Sequence, residues 1–260
     1  MEHVCKYSTD TFNSKWPNGD KAYGGYANFW RGKYSFVTKI PEEIPSDEAA
    51  PMLCGGITGR SVFTSRGFTN IGSAFHPLVQ HNAGPDTRVG IVGLGGLGHF
   101  GVLGASKALK CKKVVVISRT KTKKEDAMKM GATDFIATDE DENWAEKHAG
   151  TLDIIVSTVS SHTMPLDGYL QLLARKGVYV HVGAPEDQMP RFSMFSLIPK
   201  RASIQGSQTG SPRDIKEMLD LFAKSGVHTW NQNRPMKEAN EAVVDLDNGK
   251  ARYRYVLVNE

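Results

Sequence analysis

Three glycines in the middle of the chain have the spacing of a loop that binds the pyrophosphate of a dinucleotide. Gly93, Gly95 and Gly98 fill a G-x-G-x-x-G pattern within residues 89–101. The first glycine permits a tight turn, the second lets the backbone approach a pyrophosphate, and the third lets a helix pack closely on a strand. The free N–H groups and positive dipole end of that helix attract phosphates. An apolar strand before the loop and a helix after it favour this interpretation over an ordinary glycine-rich loop.

The residues that follow the next apolar segment, 113–118, indicate which dinucleotide would be bound. An acidic side chain about 20 residues past the glycines usually holds the ribose 2′-hydroxyl of NAD. Here hydroxyl and basic side chains stand at that point, with no carboxylate before Glu125. Such groups suit a 2′-phosphate, so the pattern favours NADP(H). The alternative is that the lysines are only the solvated start of a helix. The residues concerned are Ser118, Arg119, Thr120, Lys121 and Lys123.

Size, charge and cysteine content limit the class of protein. The chain has 260 residues, with 32 basic and 28 acidic side chains and a net charge of +4. This mild excess forms no basic block, so we expect no nucleic-acid partner. The apolar runs are too short to cross a bilayer and no secretory signal is recognisable, so we expect no membrane association. Three widely separated cysteines do not suggest a disulfide framework, which predicts a cytoplasmic protein.

Apolar strand-like segments alternate with helical ones from residue 89 to residue 206. Six such segments predict a parallel sheet covered by helices on both faces, a doubly wound α/β fold. Ligands of such sheets bind beyond the carboxyl ends of the strands. Helix 99–109 begins at His99, which we expect to pack rather than to catalyse. His76 and His81 are interpreted as surface residues or, alternatively, a proton relay near the cleft.

The two flanks have a different composition. Residues before 53 are rich in turns, and short strands are expected around 24–30 and 34–40. After a helix at 212–225, a strand-like segment at 227–230 precedes a helix at 236–248 and an alternating strand at 253–258. We predict an NADP-binding domain over 54–210 and a second domain made from 1–53 and 211–260.

Residues 23–27, residues 49–58, the glycine loop and residues 252–256 together resemble the zinc-type medium-chain dehydrogenases. The likeness is to their NADP-dependent, cinnamyl alcohol dehydrogenase-like branch. It implies a Rossmann domain beside a discontinuous, β-rich (GroES-like) catalytic domain, and reversible hydride transfer between NADPH and an aldehyde at a tetrahedral zinc. It also implies NADP(H) contacts from Thr58, Gly93, Leu94, Gly95, Gly96, Leu97, Gly98, Ser118, Arg119, Thr120, Lys121, Lys123, Thr158, Gly183, Ser207, Gln208 and Thr209.

The zinc ligands of that family are matched only in part. Cys54 corresponds to the third catalytic ligand, and Cys5 to the last of four cysteines in the structural zinc lobe. Their companions would lie upstream of the first residue, so we expect an N-terminally truncated catalytic domain that does not retain zinc. The alternative for Cys54 is a small apolar residue buried in the core. No catalytic residue is assigned.

Residues 59–75 depart from the family pattern, which passes from Thr58 almost directly into a helix at His76. This stretch is rich in Ser, Thr, Gly and Arg and shows no clear periodicity. We interpret it as an insertion that loops out or disturbs the helix between the two domains.

The resulting hypothesis is an NADP-dependent alcohol dehydrogenase or aldehyde reductase acting on a small aldehyde or alcohol. Two alternatives stay open: a catalytically impaired, zinc-free NADPH-binding protein, and a zinc-independent quinone or enoyl reductase that positions its substrate against the nicotinamide. Cys54 argues against the last of these because it fits the zinc branch. The resemblance also implies a homodimer that pairs through the sheet edge near 200–210.

Overall fold

The computed structural model describes residues 12–30, 32–56, 75–183, 188–207 and 210–259. The strands are β1 (Phe12–Lys15), β2 (Lys21–Tyr23), β3 (Arg88–Val92), β4 (Lys113–Ser118), β5 (Asp134–Ala137), β6 (Leu152–Ser157), β7 (Leu173–His181), β8 (Ser203–Gly206), β9 (Asn231–Pro235) and β10 (Arg254–Val258). The α-helices are α1 (Ser46–Pro51), α2 (His76–Gln80), α3 (Gly98–Leu103), α4 (Lys124–Met130), α5 (Trp144–Lys147), α6 (Leu166–Leu172), α7 (Pro212–Ser225) and α8 (Ala239–Asp247).

Six parallel strands form the central sheet, in the spatial order β5-β4-β3-β6-β7-β8. This is the strand order of doubly wound dinucleotide-binding folds, so the predicted α/β class with a parallel sheet is confirmed. The order reverses between β3 and β6, which pair from Val89 with Ile154 onward. A ligand of such a sheet is expected in the crevice at the carboxyl ends of these two strands.

Side chains alternate along the strands between two buried layers. On one face, residues such as Ile91 and Val116 pack with α3, α4 and α7. On the other, residues such as Ile117 and Ile155 pack with α6. Helices on both faces explain why the strands are apolar throughout.

The amino-terminal and carboxyl-terminal flanks pack together against the first of these layers. Helix α1 continues into a π-helical turn, Met52–Gly56, and Met52 is buried in the same core as Tyr253, which precedes β10. The Glu48 carboxylate accepts a hydrogen bond from the Thr229 backbone N–H over 3.2 Å. The predicted domain boundaries at 53 and 211 remain predictions.

None of the described helices is long and apolar enough to span a membrane.

Several predicted elements differ from the structure. The strands expected around 24–30 and 34–40 are wrong: residues Tyr34–Phe36 form a short 3-10 helix, and the local ribbon is instead β1 paired with β2. A strand requires a backbone partner, and no described strand pairs with either segment. The strand expected at 227–230 lies further along, at Asn231–Pro235, where it pairs in parallel with β10.

Strand β7 begins at Leu173, which pairs with Leu152, and the register shifts before Ile154 pairs with Val178. Helix α6 therefore ends at Leu172. Phe75, the last residue of the predicted insertion, is buried against Phe222 of α7 with ring centroids 5.0 Å apart. The rest of that segment lies outside the described residues.

Candidate functional site

The glycine turn joins β3 to α3 and has the geometry that the motif predicts. Gly93 has a φ of +88°, in the region that favours glycine. A Cβ at Gly98 would collide with the Gly93 carbonyl oxygen, so the missing side chain lets α3 approach β3 closely. A Cβ at Gly95 would meet no atom within 4 Å, so the backbone there stands open to a ligand. The turn can therefore admit a pyrophosphate at Gly95.

A cleft of about 560 Å³ opens at the carboxyl edge of β3, β4, β5 and β6. Gly93, Ser118 and Arg119, which were predicted to hold the cofactor, line it together. Asp139 is the acidic residue in its lining, and its backbone N–H donates to the Arg119 carbonyl over 3.0 Å. Burial raises the pKa of Tyr169, another lining residue, to about 12, so its hydroxyl stays protonated at neutral pH. The cleft lies where nucleotides bind in this fold.

The preference for a 2′-phosphate was predicted from the residues at the end of β4 and after it. In the structure these residues are not equivalent. Arg119 is exposed at the cleft, and the hydroxyls of Thr120 and Thr122 lie 3.0 Å apart. Lys121 instead pairs with Asp141 across 2.7 Å. The hydrogen bond with Asp141 raises the pKa of Lys121, so its charge is already partly compensated. Arg119 is thus the more available cation of the two.

Two further cations contact the carbonyl oxygens of the glycine turn. Lys123 Nζ donates to the Leu94 carbonyl over 2.8 Å, and Arg254 Nε donates to the Gly96 carbonyl over 2.9 Å. A Cβ at Gly96 would lie 2.8 Å from that Nε, so Gly96 makes room for the guanidinium. Burial lowers the pKa of Arg254. Sequence reasoning missed Arg254, although an arginine in an alternating apolar strand was a signal.

Thr158, Gly183 and Ser207 lie along the same sheet edge. The Thr158 hydroxyl donates to the carbonyls of Val92 and Gly93 over 2.9 and 3.2 Å, so it supports the turn. Gly183 follows β7, and the Ser207 N–H donates to the His181 carbonyl over 2.9 Å. Ser207 Oγ is buried and has no hydrogen-bond partner among the described residues. Leu97 precedes α3. Thr58, Gln208 and Thr209 lie outside the described residues.

His99 is buried beneath the turn. Its ring centroid lies 4.1 Å from that of Phe100 and 5.7 Å from that of Tyr253. Burial, followed by the charge of Arg254, lowers the pKa of His99 to about 3. Neither ring nitrogen has a partner with hydrogen-bond geometry within the described chain. These contacts agree with the expected packing role.

The histidine expected near the cleft is elsewhere. His81 Nε2 lies 3.2 Å from Gln205 Oε1 and borders a pocket with Asp153, by the amino-terminal ends of β3 and β6. This is the edge opposite the cleft, so the interpretation of His81 as a cleft residue is wrong. The side chain of His76 lies outside the described residues.

The predicted metal ligands do not form a cluster in the described residues. Cys54 is exposed in the Met52–Gly56 turn, so the alternative that it is a buried apolar residue is wrong. A catalytic zinc needs about three protein ligands. Nowhere in the described ranges do three or more His, Cys, Asp or Glu side chains lie together in a way that could hold a metal ion. Cys5 lies outside those ranges.

Comparison with known proteins places these features in a family. The model of the zinc-binding dehydrogenase family matches residues 96–224. The chain is 39% identical over 264 residues to the NADP-dependent alcohol dehydrogenase 6 of Saccharomyces cerevisiae, covering 99% of this chain and 67% of that protein. It is 39% identical over 261 residues to a probable cinnamyl alcohol dehydrogenase 6 of Arabidopsis thaliana, with 99% and 66% covered. The chain thus spans about two thirds of the length of these relatives.

Comparison with solved structures indicates the same family. A cinnamyl alcohol dehydrogenase from Sorghum bicolor superposes with a TM-score of 0.85 at 31% identity, over 98% of this chain and 68% of that one. The CAD of Helicobacter pylori, complexed with NADP(H), superposes with a TM-score of 0.81 at 29% identity, over 98% and 68%. The chain therefore belongs to the zinc-binding medium-chain dehydrogenases, in the group that contains the NADP-dependent and cinnamyl alcohol dehydrogenases.

Proposed function

We propose that this chain binds NADP(H) at the carboxyl edge of its sheet and serves hydride transfer between NADPH and a small aldehyde. The observation that carries the proposal is the open glycine turn at Gly95 beside a rim with Ser118 and the exposed Arg119. A neutral or basic rim favours a 2′-phosphate over a free 2′-hydroxyl. Relatives named NADP-dependent alcohol dehydrogenases, and one solved as an NADP(H) complex, support it.

We assign the predicted residues to the parts of the cofactor as follows from their order along the chain. The pyrophosphate would lie against Gly93–Gly98, with Thr158 holding the end of β3. The 2′-phosphate would lie among Ser118, Arg119, Thr120 and Lys123, with Lys121 secondary because Asp141 holds it. The nicotinamide end would lie near Gly183 and Ser207, with Thr58, Gln208 and Thr209 contributing as in the family. When bound, NADPH supplies the hydride, and this chain's own residues bind and orient it.

The metal part of the family chemistry does not fit the described residues. The thiol of Cys54 is one donor where about three are needed. We therefore derive no step through zinc, and the catalytic residues remain unassigned. This mismatch favours a second candidate, a zinc-free protein that binds NADPH either without turnover or as a quinone or enoyl reductase.

We propose two further features from the family. The flanking residues 1–53 and 211–260 would belong to a discontinuous catalytic domain of the β-rich, GroES-like type. The chain would also form a homodimer through β8, the edge strand of the sheet. The exposed side chains of Met194, Phe195, Ile198 and Ile204 near that edge support the second idea. Sedimentation of the wild type and of Ile204→Lys tests it, because a lysine at a buried dimer edge would shift the mass to that of one chain.

Fluorescence titration with NADPH and NADH tests the cofactor assignment. Loss of a hydrogen bond to a charged group costs about 1.5–3 kcal/mol, so Arg119→Ala should raise the Kd for NADPH about tenfold or more. The Kd for NADH should change by less than about twofold. Arg213→Ala is the matched control, because Arg213 lies on α7 and pairs with Glu217. Equal weakening of both cofactors by Arg119→Ala would contradict the assignment.

Turnover and metal content separate the two candidates. Zinc is measured on the sample used for titration, and NADPH oxidation is followed with an aldehyde, a quinone or an enone added. Aldehyde-dependent oxidation supports the dehydrogenase. Oxidation only with quinone or enone, or binding without oxidation, supports the second candidate.

A further inference from the structure

Tyr253 is a buried aromatic residue that sequence reasoning left without a function. It immediately precedes β10, is 2% exposed, and its backbone N–H donates to the Trp230 carbonyl over 2.8 Å. Its ring packs on His99 beneath the glycine turn, with centroids 5.7 Å apart. The carboxyl-terminal flank therefore packs beneath the glycine turn through this side chain.

The hydroxyl and the ring of Tyr253 make separate contacts. The hydroxyl donates to Asp126 Oδ2 over 2.6 Å, between residues 127 positions apart in the chain. Lys123 Nζ lies 5.4 Å from the ring centroid, within the range of a cation–π interaction. Burial, followed by the hydrogen bond to Asp126, raises the pKa of Tyr253, so the hydroxyl remains a donor at neutral pH.

Lys123 and Asp126 attract one another. Burial lowers the pKa of Lys123, and the charge of Asp126 raises it by a smaller amount. They are three residues apart, with Lys123 just before α4, a spacing at which helical side chains are neighbours. Lys123 Nζ nevertheless donates to the Leu94 carbonyl of the glycine turn, and no ion pair joins Lys123 to a carboxylate among the described side chains. Asp126 instead accepts the Tyr253 hydroxyl.

We propose that Tyr253 is a positioning residue for recognition of the 2′-phosphate. Its hydroxyl holds the Asp126 carboxylate out of a direct ion pair with Lys123, which leaves the Lys123 ammonium at the glycine turn for contact with the phosphate. The inference rests on the proposed function, since it takes Lys123 as a phosphate-binding residue. It makes the preference for NADPH over NADH depend on a residue from the other flank of the chain.

Tyr253→Phe removes the hydroxyl and keeps the ring on His99 and Lys123. The freed Asp126 carboxylate should then pair with Lys123, and a partly exposed pair of this kind is worth up to about 1 kcal/mol. We expect the Kd for NADPH to rise about three- to fivefold and the Kd for NADH to change less than about twofold. Tyr255→Phe is the matched control, because the Tyr255 ring faces Arg234 at 5.2 Å.

Removing the competing carboxylate should reverse the effect. In Tyr253→Phe with Asp126→Asn, NADPH affinity should return to within about twofold of wild type, since Asn cannot neutralise Lys123. In a Lys123→Met background, Tyr253→Phe should have no further effect on NADPH, which a double-mutant cycle measures. A merely structural loosening of β10 would show neither the rescue nor the coupling.

The outcomes separate this inference from the proposed function. If Lys123→Met leaves NADPH affinity unchanged, the phosphate-binding set is wrong. If Lys123→Met weakens NADPH but Tyr253→Phe does not, or if Asp126→Asn fails to rescue, the role of Tyr253 is overturned and the site stands. Should circular dichroism show that Tyr253→Phe is unfolded, Asp126→Asn alone decides. NADPH affinity at or above that of wild type supports the inference, and weaker binding overturns it.

Discussion

Two glycines of the same turn should respond in opposite ways to a single methyl group. A Cβ at Gly98 would lie 3.0 Å from the Gly93 carbonyl carbon and closer still to its oxygen. Both atoms are backbone, so no flexible side chain can move aside, and α3 must shift away from β3. A Cβ at Gly95 would have no neighbour within 4 Å. Gly98→Ala is therefore expected to destabilise the fold, and Gly95→Ala to spare it.

The magnitudes follow from packing. Overpacking a tight site costs about 1–3 kcal/mol, and the overlap with backbone places Gly98→Ala near the upper end, about 3 kcal/mol. For a chain of this size that lowers Tm by roughly 6–12 °C. Gly95→Ala should change stability by less than about 1 kcal/mol. Its methyl would stand where the pyrophosphate approaches, so the Kd for NADPH should rise at least about tenfold.

Thermal unfolding by circular dichroism and NADPH titration on both variants check this contrast. Gly150→Ala is a poor control because its φ is positive, whereas Gly84→Ala is suitable, since Gly84 has no atom near an added Cβ and lies away from the turn. An unchanged Tm for Gly98→Ala would refute the tight approach of α3 to β3. Unchanged NADPH binding by Gly95→Ala would refute the place assigned to the pyrophosphate.

Two other predictions concern the groups around the turn. Arg254→Met should raise the Kd for NADPH and for NADH alike, by about tenfold, because Gly96 belongs to the part of the site that both cofactors share; selective loss of NADPH in titrations would contradict this. His99 binds a proton in the unfolded chain below about pH 6.5 but, with its pKa near 3, not in the folded one. Between about pH 6.5 and pH 3 the unfolding free energy should thus fall by up to about 1.4 kcal/mol per pH unit. His99→Phe should remove this loss between about pH 7 and pH 5, as measured by urea titrations at the two pH values. An equal loss of unfolding free energy between about pH 7 and pH 5 in the wild type and in His99→Phe would contradict this prediction.

The sheet and its turn could be predicted because their signals are local. Continuous apolar runs such as 113–118 and 152–157 identify buried parallel strands, and the glycine spacing at 93–98 identifies the turn. Helix α7 was predicted with its observed bounds because Ser211 and Asp214 form a capping box and Gly226 ends it in a left-handed conformation. In each case the residues that determine the element are its own.

The features that the sequence did not predict depend on contacts between distant segments. Strand β9, Asn231–Pro235, is polar, so its strand character comes from pairing with β10 and not from its composition. The sequence gives no sign that Lys121 is paired, because its partner Asp141 lies in the loop after β5. Hydrophobic periodicity carries no information about either pairing.

Gly96 shows how such a contact could be recognised. The dinucleotide motif requires glycine at 93, 95 and 98, and gives no reason for a fourth at 96. Arg254 supplies the reason, because its Nε would lie 2.8 Å from a Cβ at Gly96 and its Cζ 2.9 Å from one at Gly55. The half-buried guanidinium of Arg254 thus lies between two glycines that are far apart in the sequence.

The cations around the turn therefore divide into two sets with different consequences. Arg254 lies against the backbone that would hold the pyrophosphate, which NADPH and NADH share, so we expect it to contribute to affinity without discriminating between them. Arg119 lines the cleft at the end of β4, and Lys123 contacts the glycine turn beside it. In the proposed site both would lie near the 2′-phosphate that only NADPH carries, so we expect them to contribute to discrimination. Because both Arg254 and the side chain proposed to support Lys123 come from the segment around β10, we expect the carboxyl-terminal flank to influence affinity and selectivity at once. We therefore expect that the nucleotide-binding half of the chain alone would not reproduce the cofactor affinity of the whole chain.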